Sequence, residues 1–176
     1  MEQKGKHIIL IGFMGAGKTT LGKKLARRME LEFVDTDDMV ESQTGQMISD
    51  IFARKGEAYF RSLETDMLCQ LRQRKTPCII AVGGGLPMQP VNRPLLKELG
   101  TVVFLEAGVE TLVQRLKNDT RRPKLQGGDL RERIVTLMKE REGVYRQVAD
   151  VCVSTDNRSY SVILEEIMDK SENRIE

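Results

Sequence analysis

The sequence contains no tryptophan, one histidine, three cysteines and few aromatics, about 5% of its 176 residues. So few aromatic rings argue against a stacking surface for single-stranded nucleic acid. Net charge is also small: 28 Lys and Arg against 26 Asp and Glu leave +2, so the broad basic field of a nucleic-acid binder is missing and any anion affinity must be local. Long apolar runs are absent too. Ile8 to Ile11 and Cys78 to Val82 fall far short of the roughly 20 residues a membrane span needs, and the charged N-terminus lacks a secretory apolar stretch, so a cytoplasmic location is expected. Cys69, Cys78 and Cys152 form no CxxC pair and suit a reducing compartment, where they are expected to be small buried apolar residues. His7 has no Cys or His at ligand spacing and is expected neither to catalyse nor to bind metal.

What is present is alternation. Short apolar runs alternate with longer amphipathic stretches, the pattern of βαβ units around a parallel sheet, within one domain covering residues 1–176. The runs predict five strands, at His7–Ile11, Glu32–Asp35, Cys78–Val82, Thr101–Leu105 and Asp150–Ser154. Helical spacing predicts helices at Lys18–Met29 and Glu57–Arg74, with others at Asp38–Thr44, Ile48–Lys55, Pro90–Glu98, Val109–Lys117, Asp129–Gln147 and Tyr160–Lys170. The polar stretch 118–128 breaks the pattern with Arg121, Arg122 and Lys124 and ends in Gly127-Gly128; it reads as a mobile lid or as a solvated surface loop. Residues Ser171 to Glu176 are expected to fray.

The segment Gly12-Phe-Met-Gly-Ala-Gly17-Lys18-Thr19 fits G-x4-G-K-[ST] and lies between a predicted strand and a predicted helix, the context such a loop requires. Gly12, Gly15 and Gly17 let successive backbone N–H groups face one point, and the helix N-terminus adds positive potential there. Lys18 then reaches the β- and γ-phosphates of ATP, and Thr19 offers its hydroxyl to Mg²⁺. Ala16 and Thr20 complete the nucleotide-binding stretch, Thr20 by packing or by supporting its neighbour. Such a loop alone does not separate kinases from switches or motors.

The acceptor side is read from the strand end Asp35-Thr36-Asp37-Asp38. Its carboxylates fall at the C-terminal edge of a parallel sheet, where one could serve Mg²⁺ and another an attacking hydroxyl, although Asp37 or Asp38 could equally cap the next helix. Arg61 precedes Glu64 by one helical turn, as a fixed guanidinium or as an exposed ion pair. Gly83-Gly84-Gly85 offers bare backbone to a small ligand, or is a flexible turn. Arg115, Arg122 and Arg141 add guanidinium groups suited to carboxylate or phosphate.

In this order and spacing, Gly12 to Thr19, Asp35-Thr-Asp37, Gly56-Glu-Ala-Tyr-Phe-Arg61 with Glu64, Gly83 to Gly85, Arg122-Pro123 and Glu140-Arg141 followed by Tyr145 resemble the shikimate kinases, of the nucleoside monophosphate kinase-like P-loop group. The resemblance implies a three-layer α/β fold with a five-stranded parallel sheet, a lid at 118–128 and substrate-binding helices over 38–64. It also implies a monomer that phosphorylates shikimate with ATP and Mg²⁺ and has no nucleic-acid or membrane partner. It further implies that Lys18, Asp37 and Arg122 are catalytic, with Asp37 as base and Arg122 closing from the lid, and that Asp35 stands near the metal. Arg61 and Arg141 would clamp the substrate carboxylate, Glu64 would orient Arg61, Gly83 to Gly85 would hold ring hydroxyls, and Phe52 and Phe60 would wall the pocket. Arg115 and Arg158 would lie around adenine. The chain departs from the family's usual Arg-Pro-Leu-Leu lid by reading Arg122-Pro123-Lys124-Leu125.

Overall fold

The computed structural model describes residues 7–120 and 123–173, and Arg121 and Arg122 therefore lie outside the described residues. Five strands form one parallel sheet in the order β2-β3-β1-β4-β5. They are β1 (His7–Ile11), β2 (Glu32–Asp35), β3 (Cys78–Ala81), β4 (Gly100–Glu106) and β5 (Val151–Ser154). Register runs from Ile8 opposite Ile79 on one side of β1 to Ile8 opposite Thr101 on the other. A parallel sheet is covered on both faces, which is why its central strands read as unbroken apolar runs.

Alternate residues of β1 feed two separate cores. Ile8 and Leu10 pack with Leu21 and Leu25 of α1 (Lys18–Met29) and with Ile163 and Ile167 of α8 (Tyr160–Glu172). Ile9 and Ile11 pack on the opposite face with Leu68 of α4 (Glu57–Arg72), Leu96 of α5 (Asn92–Leu99), Leu112 of α6 (Val109–Leu116) and Tyr145 of α7 (Leu130–Val148). Each fully buried Leu or Ile contributes roughly 1.5–3 kcal/mol by leaving water. Val40 of α2 (Thr36–Thr44), Ile51 of α3 (Ile48–Lys55) and Phe60 of α4 form a third, smaller core beside the sheet. Among the described residues no helix is long and apolar enough to cross a membrane.

Several expected boundaries shift for local reasons. Helix α2 begins at Thr36 because the Asp35 side chain accepts a hydrogen bond from the Asp37 N–H and caps it, so neither Asp37 nor Asp38 is the cap. Helix α8 runs to Glu172 with Ser171 buried, so the fraying expected from Ser171 does not begin there; residues 174–176 lie outside the described residues. Of the cysteines only Cys78 is buried, whereas Cys69 is exposed and Cys152 intermediate. His7 is buried at the opposite end of the sheet from the glycine loop, and its Nδ1 accepts a hydrogen bond from the Cys78 N–H.

Candidate functional site

Strand β1 sits between β3 and β4, so the chain departs to opposite sides on either side of it and leaves a crevice beyond its C-terminal end. The glycine loop fills that crevice. Gly12 comes so close to β4 that a Cβ would stand 2.7 Å from the Leu105 carbonyl oxygen, and Gly17 enters α1 in the left-handed region at φ 96°. No side chain caps α1, so its first backbone N–H groups remain available to an anion. Ala16 turns its methyl into the core, while Thr20 is exposed rather than packed. The Lys18 ammonium folds over the loop and donates to the carbonyl oxygens of Gly12 at 2.7 Å and Phe13 at 3.0 Å.

Although β3 intervenes between β1 and β2, Thr19 and Asp35 meet across it: the Thr19 hydroxyl donates to Asp35 Oδ2 at 3.2 Å. Both are hard oxygen donors. Among the described residues no group of three or more His, Cys, Asp or Glu side chains could cage a metal. A hydroxyl and a single carboxylate beside a phosphate loop fit Mg²⁺, which keeps waters and substrate phosphates as its remaining ligands.

The acceptor residues converge on the turn after β3. At Gly83 a Cβ would lie 3.0 Å from both Asp37 Oδ1 and Glu64 Oε1; at Gly84 it would lie 3.2 Å from Arg141 Nη1; at Gly85 it would overlap the Arg61 guanidinium, 2.5 Å from Nη2. The three glycines are thus the places where four charged side chains from α2, α4 and α7 approach one turn. Phe60 is buried, and its ring lies 4.8 Å from that of Phe52 and 5.4 Å from the Arg61 guanidinium carbon. Arg141 is 4% exposed and stands over the Phe13 ring at 5.8 Å. The Tyr145 hydroxyl, to which the sequence reading gave no task, donates to the Gly84 carbonyl and ties α7 to the turn.

Arg61 donates to Glu64 Oε2 at 2.7 Å and to Glu57 Oε1 at 3.1 Å. Glu64 is 1% exposed, so the pair is not an exposed helical one. Burial pushes the Glu64 carboxyl up to about 7; Arg61 pulls it back only in part, with Asp37 pushing up and Arg141 pulling down. For Arg61 burial acts downward, but the carboxylates of Glu64 and Glu57 outweigh it and its pKa rises. The two shifts look contradictory for one ion pair. They are reconciled by position: Arg61 is partly open to water and has two carboxylates, whereas Glu64 is enclosed with one oxygen unpaired. That Oε1 and Arg141 Nη1 are buried atoms without a hydrogen-bond partner, at neighbouring glycines of the same turn.

On the donor side, exposed Arg115 crosses from α6 and donates to the Gly15 carbonyl at 2.9 Å. Arg158 follows β5 and is engaged by the Ser154 carbonyl and by Glu166. From the segment 118–128, Leu125 is buried against α7 and Lys124 pairs with Glu57 at 2.9 Å. The geometry so brings together Lys18, Thr19 and Asp35 on one side and Asp37, Arg61, Glu64, Gly83 to Gly85 and Arg141 on the other, while Arg122 lies outside the described residues. A cleft of about 530 Å³ opens on the outer side of Arg61, bounded also by Glu57, Thr65, Gln89 and Val91.

A family model described as shikimate kinase matches residues 14–172. A shikimate kinase of Pelotomaculum thermopropionicum is 45% identical over 173 residues, covering 97% of this chain and 99% of the relative. One from Francisella tularensis subsp. novicida is 42% identical over 92% of each chain. Among solved structures, the shikimate kinase of Acinetobacter baumannii in complex with shikimate superposes with a TM-score of 0.90 at 37% identity, covering 98% of this chain and 96% of that one.

Proposed function

The chain belongs to the shikimate kinase family, and from that premise we propose that it transfers the γ-phosphoryl group of MgATP to the 3-hydroxyl of shikimate, giving shikimate 3-phosphate and ADP on the route to chorismate and the aromatic amino acids. The observation that carries the acceptor assignment is the meeting of Asp37, Glu64, Arg61 and Arg141 at Gly83 to Gly85. A ring bearing a carboxylate and hydroxyl groups suits two guanidinium groups, the Asp37 carboxylate and bare backbone. A polar ligand there would also satisfy the unpaired Glu64 Oε1 and Arg141 Nη1.

Phosphoryl transfer proceeds through a loose transition state, so the protein acts chiefly by positioning and by neutralising charge. The uncapped start of α1 and the glycine loop receive the phosphates, and Lys18 leaves its loop carbonyls for the β- and γ-phosphate oxygens. Thr19 and Asp35 would hold Mg²⁺, which would supply neutralisation of the phosphate charge. Arg61 and Arg141 clamp the carboxylate, with Glu64 fixing the Arg61 fork, and Phe52 and Phe60 wall the pocket. Asp37 aligns the 3-hydroxyl and takes its proton as the oxygen bonds to phosphorus and the bond to ADP breaks. Segment 118–128 closes as a lid, bringing Arg122 to the transferring group, and Arg115 and Arg158 flank the adenine. The enzyme works as a cytoplasmic monomer.

Measuring ADP release with MgATP against shikimate, gluconate and nucleoside monophosphates in parallel tests this reading. Release that depends on shikimate is expected. Release with gluconate or a nucleotide instead would move the chain to another kinase activity, and nucleotide binding without acceptor-dependent release would make it a noncatalytic module.

A further inference from the structure

Three successive carbonyl groups immediately after the glycine turn, those of Leu86, Pro87 and Met88, accept hydrogen bonds from the start of α5. Asn92 donates to Leu86 at 2.9 Å, while Arg93 donates to Pro87 at 3.1 Å and to Met88 at 3.2 Å. Asn92 is completely buried and does not cap its own helix; the residue at the N-cap is Val91. The other end of the Asn92 amide faces α4, where its oxygen accepts from the Thr65 hydroxyl at 2.7 Å. That hydroxyl also lies 3.3 Å from the carbonyl of Arg61, one helical turn earlier. A single buried amide therefore spans from the helix that carries Arg61 and Glu64 to the turn that carries Gly83 to Gly85.

The span has little slack. The Arg61 guanidinium lies so near Gly85 that a methyl group would not fit between them. The turn is closed by the Leu86 N–H on the Gly83 carbonyl and the Met88 N–H on the Gly85 carbonyl, and the Gly83 N–H donates to the Thr36 hydroxyl, so its separation from the guanidinium depends on what anchors this unit to the helices around it. Tyr145 holds it from α7, and on the α4 side the link is Asn92.

We infer that Asn92, acting through Thr65 and Leu86, is a positioning residue for acceptor binding that sets the spacing between the Arg61 clamp and the Gly83–Gly85 turn. The inference rests on the shikimate kinase reading. It concerns neither the glycine loop nor the nucleotide, and so it predicts an effect confined to one substrate.

Thr65→Val removes only the hydroxyl bond at nearly constant volume, Thr65→Ser retains it, and Asn92→Ala removes both ends of the span. Thr65→Val and Asn92→Ala are each expected to raise the KM for shikimate about tenfold, inside the roughly hundredfold that a 1 Å misplacement can cost, with the KM for MgATP within about twofold of wild type. Thr65→Ser is expected to behave as wild type. In the double variant the two effects should fall short of multiplying, because both cut the same link. If Asn92→Ala does not fold, Thr65→Val and Thr65→Ser decide. Equal KM changes for both substrates, or a lowered melting temperature with both KM values unchanged, would overturn the inference. A wild-type chain without shikimate-dependent turnover would instead overturn the kinase reading itself.

Discussion

Lys124 Nζ lies 2.9 Å from Glu57 Oε1, and the same oxygen accepts from Arg61 at 3.1 Å. Where the family lid usually places leucine, this chain thus joins the segment 118–128 to α4 through a carboxylate shared with Arg61. The Lys124 hydrogen bond is the largest cause that holds the Glu57 carboxyl below its ordinary range. Both partners are more than two-fifths exposed, at 41% and 46%, so water and salt screen the pair and it is worth about 1 kcal/mol or less. Lys124→Leu should therefore change kcat/KM for shikimate by less than about fivefold and make it less dependent on ionic strength. A loss beyond about tenfold, measured in steady-state assays at low and high salt, would mean the contact does more than a screened pair can.

The Lys18 ammonium donates to carbonyls of its own loop, the Gly12 and Phe13 oxygens, and its side chain takes no part in either main core. Lys18→Ala should accordingly leave the far-ultraviolet circular dichroism unchanged and shift the melting temperature little, while shikimate-dependent turnover falls by at least about a hundredfold. Near-normal turnover would remove this lysine from the phosphate site.

The sequence was most legible where a single residue type has one physical use. The apolar runs of β1 and β3 announced a doubly covered sheet, and Gly12 to Thr19 announced an anion cradle, because the glycine spacing and the following amphipathic helix admit few other structures. Strand order was not legible: nothing local in Glu32–Asp35 says that β3 will stand between it and β1, and yet the Thr19 to Asp35 contact depends on it. Nor was Asn92. An Asn near a helix start reads as a cap, and its actual partners, Thr65 and Leu86, lie 27 and 6 residues away. The pair Arg61 and Glu64 was visible as a pair, but its burial was set by the packing of α4 beneath the glycine turn, which no spacing within α4 reveals.

Arg61 offers a fork of donors, with Nη1 on Glu64 and Nη2 on Glu57, and its guanidinium lies along Gly85. A lysine could keep the charge but not this planar geometry. Arg61→Lys is expected to raise the KM for shikimate by more than tenfold, on the order of 1.5–3 kcal/mol for a charge-assisted bond, with little change in the KM for MgATP. Equal increases in both would count against the acceptor pocket proposed for this face.

Glu64 supplies the sharpest separation of stability from function. Its carboxyl is raised from 4.5 to about 7, chiefly by burial, so folding favours the protonated form. The stabilisation tied to that proton is complete below about pH 4.5, declines as the pH rises, and is gone above about 7. Glu64→Gln keeps the shape and removes the charge at every pH. The variant should therefore melt higher than wild type at pH 8, with a smaller gap at pH 5, where most of the native wild-type carboxyl is already protonated. Titrating groups remote from Glu64 are common to both proteins and cancel in the difference, which leaves the carboxyl and its neighbours Asp37, Arg61 and Arg141 to set the gap. Function should move the other way: without the carboxylate that fixes Arg61 at 2.7 Å, the KM for shikimate should rise. A variant less stable than wild type at pH 8 would show that attraction to Arg61 outweighs the cost of burying the charge, and that the carboxylate is ionised in the folded protein at neutral pH.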